Sequence, residues 1–159
     1  MSSFPVFADV SSRLHADIAI VRLIRAGIRP EKISAIFPRR SAPNSVCCWL
    51  TDFHRIPISS ALPLAAAGVF GQLWKRGIHS AAVERKLETL GLDPEIANRF
   101  LEKTEGGQIV ICVHARSETE AVTAGRIFQR AGAENICCAA EEIAWTRETL
   151  APKWAPLAA

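Results

Sequence analysis

Two adjacent cysteines followed by an aspartate and a histidine form the densest group of possible metal ligands in the chain. Cys47 and Cys48 precede Asp52 and His54, and thiolate, carboxylate and imidazole groups all bind zinc. The chain has no C-x-x-C motif and no closely spaced pair of histidines, which zinc sites with recognisable spacing contain. Because adjacent cysteines rarely bind one ion together, Cys47, Cys48 and His54 are weak candidates, and we predict neither a metal site nor a cofactor.

The other three cysteines favour a structural role. Cys137 and Cys138 are adjacent in a segment that predicts a strand, so their side chains should point to opposite faces of a sheet. Cys112 lies within the apolar run "GQIVICVHA" and should be buried. Five cysteines in this spacing do not form the even-numbered framework of secreted disulfide-rich proteins. We therefore predict a reducing, cytoplasmic location, in agreement with an N-terminal sequence that shows no secretory signal.

Asp9 and His114 are the polar side chains best placed to bind a ligand. Each lies next to the last residue of a predicted strand, shortly before a serine that can cap a helix, Ser12 in the first case and Ser117 in the second. Strand-to-helix loops often carry functional side chains, and helix N-termini attract anions. We predict a ligand-binding site formed by Asp9, His114 and Ser117. The alternative is that a polar residue simply ends each strand.

No sequence motif for catalysis is present. The chain lacks the G-x-S-x-G, H-E-x-x-H, P-loop and dinucleotide-binding patterns, so we predict no catalytic residues and no enzymatic activity. The net charge of +3 is spread over 19 basic and 16 acidic residues without a basic stripe. The predicted central strands also lack the full set of stacking aromatic residues found on RNA-binding sheets. We therefore predict no nucleic-acid partner.

The chain begins with a predicted strand, helix and second strand. The segment "FPVFADV" (Phe4–Val10) alternates and is rich in Phe and Val, which predicts a strand. A helix capped by Ser11 or Ser12 follows, and Gly27 lies where helices commonly end. "RPEK" then predicts a turn, and "ISAIF" predicts a strand that ends at Pro38.

The same order returns about a hundred residues later. "GQIVICVHA" predicts a central strand, and Ser117 and Glu120 form a capping box for a helix that ends at Gly132, before the strand "NICCAA". Ser12 and Ser117 differ by 105 positions, as do Gly27 and Gly132. Two such βαβ units predict an α+β fold with a ferredoxin-like split βαβ arrangement, an antiparallel four-stranded sheet and helices mainly on one face.

An insertion of about residues 41–106 separates the two units. We predict that it is helical and belongs to a single domain of residues 1–145, with residues 146–159 as a C-terminal tail. No residue from Ile56 to Trp74 is charged, but two prolines and a short apolar core make this segment a poor membrane span. A buried or interfacial helix fits better, which argues against membrane association and for a homodimer. The predicted interface residues are Leu62, Leu64, Val69, Phe70, Leu73 and Trp74.

Several segments, in order from about residue 4 to 136, resemble the bacterial general stress, or heat-induced stress, protein family. They are "VFADVSS", "LIRAGI" and "ISAIF" before the insertion, and "LGLDPEIANRFLEKTEGGQIVICVHA" and "RAGAENI" across and after its end. The resemblance implies a small α/β module whose molecular function is not established, and it supplies no catalytic residues. Members often carry a longer, glycine-rich, membrane-like hairpin in the insertion, which is shortened here to "LPLAAAGVFGQLW".

A chain of 159 residues with 49% hydrophobic content can bury one core without disulfides or metals. With the resemblance, this predicts a non-enzymatic interaction or regulatory module that acts in a bacterial stress response as a homodimer or with an unidentified protein partner. A sensor of the ACT type, which binds small effectors at strand-to-helix loops, is the alternative. A peripheral membrane protein that uses residues 62–74 is a third hypothesis.

Overall fold

The computed structural model describes residues 4–38, 54–56, 64–67 and 94–138, and their elements form an α+β fold. In chain order these elements are β1 (Phe4–Val10), α1 (Arg13–Arg25), a short 3-10 helix (Pro30–Lys32), β2 (Ile33–Pro38), β3 (His54–Ile56), β4 (Leu64–Ala67), α2 (Pro94–Glu105), β5 (Ile109–Ala115), α3 (Glu118–Arg130) and β6 (Glu134–Cys138). The strands and helices predicted on either side of the insertion are confirmed in type and place.

The six described strands belong to one antiparallel sheet with the order β3-β4-β2-β5-β1-β6. Strands β1 and β5 are paired over their whole length, from Phe4 opposite Ala115 to Val10 opposite Ile109. The strands β2-β5-β1-β6, with the helices that connect them, are compatible with a ferredoxin-like arrangement. Strands β3 and β4 extend this sheet beyond β2, so the described sheet is wider than the predicted one.

The internal repeat is present in the structure. Strand β5 and helix α3 begin 105 residues after strand β1 and helix α1 (109 − 4 and 118 − 13), and they also end 105 residues later. Ser12 and Ser117 each accept a hydrogen bond from the backbone N–H three residues on, which satisfies one free donor of the helix. Gly27 and Gly132 follow the two helices with φ of +92° and +77°, a conformation that glycine adopts without strain. The two halves therefore share backbone plan and cap positions.

One face of the sheet is covered by α1 and α3. The side chains of this layer are apolar and buried, and alanines on both helices let the helices approach the sheet closely. The strands contribute Val6, Ala8, Val10, Ile33, Ala35, Ile109, Ile111, Val113 and Ala115, and the helices contribute Ala16, Ala19, Ile20, Leu23, Ala121, Ala124 and Phe128. Burial of such apolar surface is the main favourable term in folding.

The opposite face of the sheet is covered by α2. The alternation along β1, β2 and β5 turns Phe7, Ile36 and Cys112 away from the α1–α3 layer and towards this face. The rings of Phe7 and Phe100 on α2 have centroids 5.9 Å apart and planes inclined at 35°. Of the three described helices, α1 and α3 thus lie on one face of the sheet, and α2 packs on the other face through an aromatic contact.

The insertion contains strands where the sequence predicts a helix. Residues Leu64–Ala67 form β4, which pairs with β2 from Pro38 opposite Leu64 to Ala35 opposite Ala67. Leucine and alanine favour helices when only the local sequence is considered. The edge of β2, however, has backbone N–H and C=O groups that need partners, and β4 supplies these partners by pairing with β2. The helix prediction is therefore wrong for the residues of β4.

Most of the predicted interface falls outside the described residues. Leu64 lies in β4, whereas Leu62, Val69, Phe70, Leu73 and Trp74 lie outside the described ranges, as does the predicted C-terminal tail. Within those ranges, none of the helices combines the length and the apolar character that a bilayer crossing requires. The homodimer interface remains a prediction.

Candidate ligand-binding site

Buried polar side chains are concentrated between the sheet and α2. In the described part of the chain, Asp9, Ser34 and Thr104 are the only polar residues that are fully or almost fully buried. Asp9 and Ser34 point away from the α1–α3 layer because their strand neighbours point into it. Thr104 donates a hydrogen bond from Oγ1 to the Phe100 carbonyl at 2.9 Å. This face therefore carries buried groups that require hydrogen-bond partners, whereas the buried layer under α1 and α3 is apolar.

Asp9 lies near the C-terminal end of β1, where a register shift in the β1–β6 pair places it opposite Glu134. Asn135, held at φ +50°, donates a hydrogen bond from Nδ2 to Asp9 Oδ1 at 2.8 Å. The second carboxylate oxygen, Oδ2, is buried and has no hydrogen-bond partner among the described residues. Burial raises the pKa of Asp9, although the Asn135 hydrogen bond and the charge of Lys103 on α2 oppose that shift. Half of this carboxylate is thus unsatisfied.

A cleft of about 160 Å³ lies between α2 and β6. Its lining consists of Ile96, Arg99, Phe100 and Lys103 on α2 and of Asn135, Ile136 and Cys137 on β6. The four α2 residues are spaced three and four apart, which places them on one face of the helix. Burial raises the pKa of the Cys137 thiol to about 12, so this thiol is neutral. The cleft combines two cations, one amide and an apolar wall, and Asn135 connects it directly to Asp9.

His114 occupies the position in β5 that corresponds to Asp9 in β1. Its Nε2 is hydrogen bonded to Ser34 Oγ at 2.8 Å. Burial lowers the pKa of His114 to about 4, so the imidazole is neutral at pH 7. Ser34 is fully buried, and a substrate cannot reach its hydroxyl. This pair is suited to a structural hydrogen bond rather than to nucleophilic catalysis.

The structure does not bring Asp9 and His114 together. In the β1–β5 pair, Asp9 lies opposite Val110 and His114 lies opposite Pro5. The two side chains are therefore four residues apart along the strands, which is about 13 Å. The cause is that the two repeats run antiparallel at the centre of the sheet, so equivalent strand ends lie at opposite ends of the sheet. The two residues therefore do not lie side by side, and a ligand role for either one remains a prediction.

Ser117 is occupied as the cap of α3. Its Oγ accepts a hydrogen bond from the Glu120 N–H at 3.1 Å, and Glu120 Oε2 accepts one from the Arg116 N–H at 3.2 Å. Lys32 Nζ lies 2.7 and 3.0 Å from the two Glu120 carboxylate oxygens. Burial alone would raise the pKa of Glu120, but the hydrogen bonds from Lys32 and Arg116 lower it. The start of α3 is satisfied by the protein's own side chains, although a cavity of about 310 Å³ lies beside it.

The described residues include no group of three or more His, Cys, Asp or Glu side chains that could hold a metal ion. The weak zinc candidates Cys47 and Cys48 lie outside the described ranges, and His54 lies in β3.

The three cysteines in the described ranges form no disulfide bond. Cys138 packs against the α1–α3 layer and Cys137 lines the cleft on the other face, which confirms that these neighbours point in opposite directions. Cys112 is fully buried, and its burial raises the pKa of the thiol well above the ordinary value. These pKa shifts leave all of the shifted thiols protonated at neutral pH and unsuited to nucleophilic attack.

None of the residues that line the cleft belongs to the ligand-binding site predicted from the sequence, which consisted of Asp9, His114 and Ser117. The pattern that could have indicated them is in helix α2, where Ile96 and Phe100 alternate with Arg99 and Lys103 along one helical face. Such a face is apolar enough to pack on a sheet and basic enough to hold an anion. Asn135 carries no comparable pattern, because its position depends on the β1–β6 register shift.

No family model matches the chain, and neither a curated protein nor a solved structure matches it. The functional conclusion therefore rests on the geometry of the cleft and on the residues beneath it.

Proposed function

We propose that this protein is a non-enzymatic regulatory module that binds a small ligand in the cleft between α2 and β6. The framework is a ferredoxin-like split βαβ sheet, extended at one edge by β3 and β4. The observation that carries the proposal is the position of Asp9, which is fully buried, has one unsatisfied carboxylate oxygen and is hydrogen bonded to a residue that lines the cleft.

An unsatisfied buried carboxylate oxygen is costly. Leaving a buried acceptor without a partner destabilises a folded protein by about 1–3 kcal/mol. Proteins retain such costs mainly where a function depends on them, and strained or unsatisfied groups are concentrated at binding sites. Asn135 supports this view because it adopts a positive φ in a residue other than glycine, directly between Asp9 and the cleft.

The location of the cleft suggests how ligand binding acts on the protein. Helix α2 comes from the end of the insertion, whereas β6 belongs to the second βαβ unit. A ligand that contacts both would stabilise the docking of the insertion on the sheet, because any molecule that binds only the folded state shifts the folding equilibrium towards it. This coupling is the regulatory mechanism that we assign to the module.

A thermal-shift screen of the full chain against amino acids, organic acids, amines and nucleotides tests the proposal. We expect at least one compound to raise the melting temperature. Ile96→Trp, which fills the cleft, should abolish this shift. Ile18→Trp, on a partly buried position of α1 outside the cleft, is the matched control and should preserve it. No shift with any compound, or a shift that survives Ile96→Trp, contradicts the proposal.

A homodimer is a second candidate, and the position of β6 favours it. In the described sheet β6 is an edge strand that pairs with β1 on one side only, and its residues are half-buried or exposed. Unpaired strand edges can pair with a second copy of the chain. Size-exclusion chromatography with light scattering should give twice the mass of one chain without added ligand. A monomer at all concentrations would rule out this function but would leave ligand binding intact.

The setting that we propose is a bacterial stress response in the cytoplasm. The support for this setting is the set of sequence segments that resemble the general stress protein family. We expect the protein to accumulate in its host after heat shock, as measured by quantitative immunoblotting of the soluble fraction. An unchanged level after heat and other stresses would argue against this setting.

A further inference from the structure

We infer that the ligand of the cleft is a small organic anion with an apolar body, whose charged group contacts Arg99 and Lys103. This inference rests on the proposed function, because it names the chemical class of the molecule that the α2–β6 cleft binds. Carboxylates and phosphate monoesters share the required chemistry, and both classes are included in the test below.

The charges of the cleft are grouped on one part of helix α2. Arg99 and Lys103 are four residues apart, and so are Ile96 and Phe100. Side chains at this spacing are neighbours on a helix surface, with Cβ atoms about 5–6 Å apart. The cleft therefore presents a pair of adjacent cations beside a pair of adjacent apolar side chains. A molecule that is charged at one end and apolar at the other matches both pairs at once.

Both cations are available to a ligand. Arg99 Nη2 lies 3.4 Å from Glu95 Oε1, and the two side chains are 54% and 81% exposed, so this ion pair is weak. The guanidinium has five N–H donors in a fork that suits two oxygens of one carboxylate or phosphate. The Lys103 ammonium forms no side-chain hydrogen bond within the described residues, it lines the cleft, and its charge acts on the buried Asp9.

The volume of the cleft limits the size of the ligand. An apolar protein cavity of about 150 Å³ holds one benzene molecule, and this cleft measures about 160 Å³. It therefore fits an aromatic ring or a short branched chain, while the charged group can lie at the exposed rim beside Arg99. A nucleotide is too large to be enclosed.

Asp9 provides a test of the sign of the ligand charge. Its carboxylate is close enough to Lys103 for the two charges to interact, yet it is fully buried beneath Asn135 and does not line the cleft. An anion in the cleft is repelled by this carboxylate, whereas a cation is attracted by it. Asp9→Asn should therefore strengthen the binding of an anion and weaken the binding of a cation.

Nuclear magnetic resonance titration of the full chain tests the inference with three matched groups of probes. The anions are benzoate, phenyl phosphate and 4-methylpentanoate, the neutral probe is benzamide, and the cations are benzylamine and 4-methylpentylamine. We expect the anions to shift the backbone amide signals of α2 and β6. The neutral probe and the cations should bind at least about tenfold more weakly, since they lack a charge-assisted hydrogen bond to the cations of the cleft.

Four variants complete the experiment. Arg99→Gln and Lys103→Met should each weaken anion binding by about tenfold, and Asp9→Asn should strengthen it. Arg25→Gln removes an exposed arginine at the end of α1 and should leave it unchanged. If Asp9→Asn does not fold, the salt dependence of the wild-type protein replaces it, because added sodium chloride should weaken the binding of an anion.

The outcomes separate this inference from the proposed function. If benzylamine or benzamide binds the cleft as tightly as benzoate, or if Asp9→Asn weakens benzoate binding, the anion assignment is wrong while ligand binding stands. If a larger or uncharged compound from the thermal-shift screen binds and Ile96→Trp abolishes its binding, the cleft binds a ligand but the assignment of that ligand as a small anion is wrong. If no probe and no compound binds at all, both proposals fall.

Discussion

Asp9 and His114 hold the same position in two copies of one strand-helix unit, and burial shifts their pKa values in opposite directions. The pKa of the Asp9 carboxyl is raised and that of the His114 imidazole is lowered to about 4. The physical cause is the same in both, because desolvation disfavours whichever form is charged. The comparison teaches that the repeat preserves backbone geometry in this molecule, while the identity of one residue and its degree of burial, full for Asp9 and partial for His114, decide what each end of the sheet can do.

The surroundings of the two residues differ as much as their chemistry. His114 has a hydroxyl partner, Ser34, on the neighbouring strand. Asp9 has one partner, Asn135, for only one of its two oxygens, and it lies beside a cleft with two cations. The first arrangement pairs two neutral side chains, whereas the second leaves a buried carboxylate beside a cleft that carries two cations. This asymmetry is why we place function at the Asp9 end of the sheet.

The largest expected effect concerns His114 and acid. The pKa of His114 is about 4 in the folded protein and about 6.5 in an unfolded chain. Between these values the unfolded state binds the proton more tightly, so stability is fully present above about pH 6.5 and is lost as the pH falls towards 4. The loss attributable to His114 is about 3 kcal/mol at pH 4.

Urea denaturation between pH 4 and 8 measures this effect. His114→Gln keeps a hydrogen-bonding side chain but cannot gain the proton, so the variant should show a flatter pH profile than the wild type. Arg25→Gln serves as the control, since it changes an exposed charge and should retain the wild-type profile. A variant profile as steep as that of the wild type would show that His114 is not the group responsible.

Asp9 should give a smaller effect of opposite sign. A raised folded-state pKa means that the folded protein holds the proton more tightly than the unfolded chain, so this carboxyl lowers stability as it ionises with rising pH. Asp9→Asn cannot ionise and should gain stability relative to the wild type between pH 4 and 8. The gain should be smaller than the effect of His114, because the Asn135 hydrogen bond and the charge of Lys103 offset part of the desolvation of the carboxylate. A constant difference across this range would contradict the assignment.

Much of this comparison could be predicted from the sequence. The shift of 105 residues is visible in the cap serines and the helix-ending glycines, because capping and positive φ are local properties. The same is true of the burial of Cys112 and the opposite orientation of Cys137 and Cys138, which follow from strand alternation.

What could not be predicted depends on contacts between distant segments. The distance between Asp9 and His114 is set by the antiparallel pairing of β1 and β5, and equal positions in a repeat do not reveal it. The β4 strand forms because β2 offers an open edge, against the local helix preference of Leu64–Ala67. The cleft lies between α2, whose Phe100 contacts Phe7, and β6, whose pairing with β1 contains a register shift. Each of these features depends on tertiary contacts, which the local sequence pattern does not contain.

The capping serines at the starts of α1 and α3 allow the two repeats to be compared through a smaller change in the free energy of unfolding. Ser12 and Ser117 occupy equivalent positions and accept equivalent hydrogen bonds, at 3.2 and 3.1 Å. Replacement of a cap serine by alanine costs about 1 kcal/mol. Urea denaturation at pH 7 should show this loss for Ser12→Ala and for Ser117→Ala, while the control Ser11→Ala, at an exposed neighbour, should lose less. Equal behaviour of all three variants would mean that the caps do not contribute.

The smallest expected effect comes from the third residue of each helix, where the two repeats again diverge. Glu120 in α3 is paired with Lys32 through contacts of 2.7 and 3.0 Å, and both side chains are about one-fifth exposed. The equivalent residue in α1 is His15, whose Nδ1 lies 2.6 Å from the cap hydroxyl of Ser12. The ion pair thus ties the second repeat to the turn before β2, whereas His15 bonds to the cap of its own helix. A double-mutant cycle with Lys32→Met and Glu120→Gln should give a coupling of about 0.5–1 kcal/mol that decreases with added salt. A coupling of zero would remove this difference between the two repeats and leave the contrast between Asp9 and His114 as the one with energetic consequences.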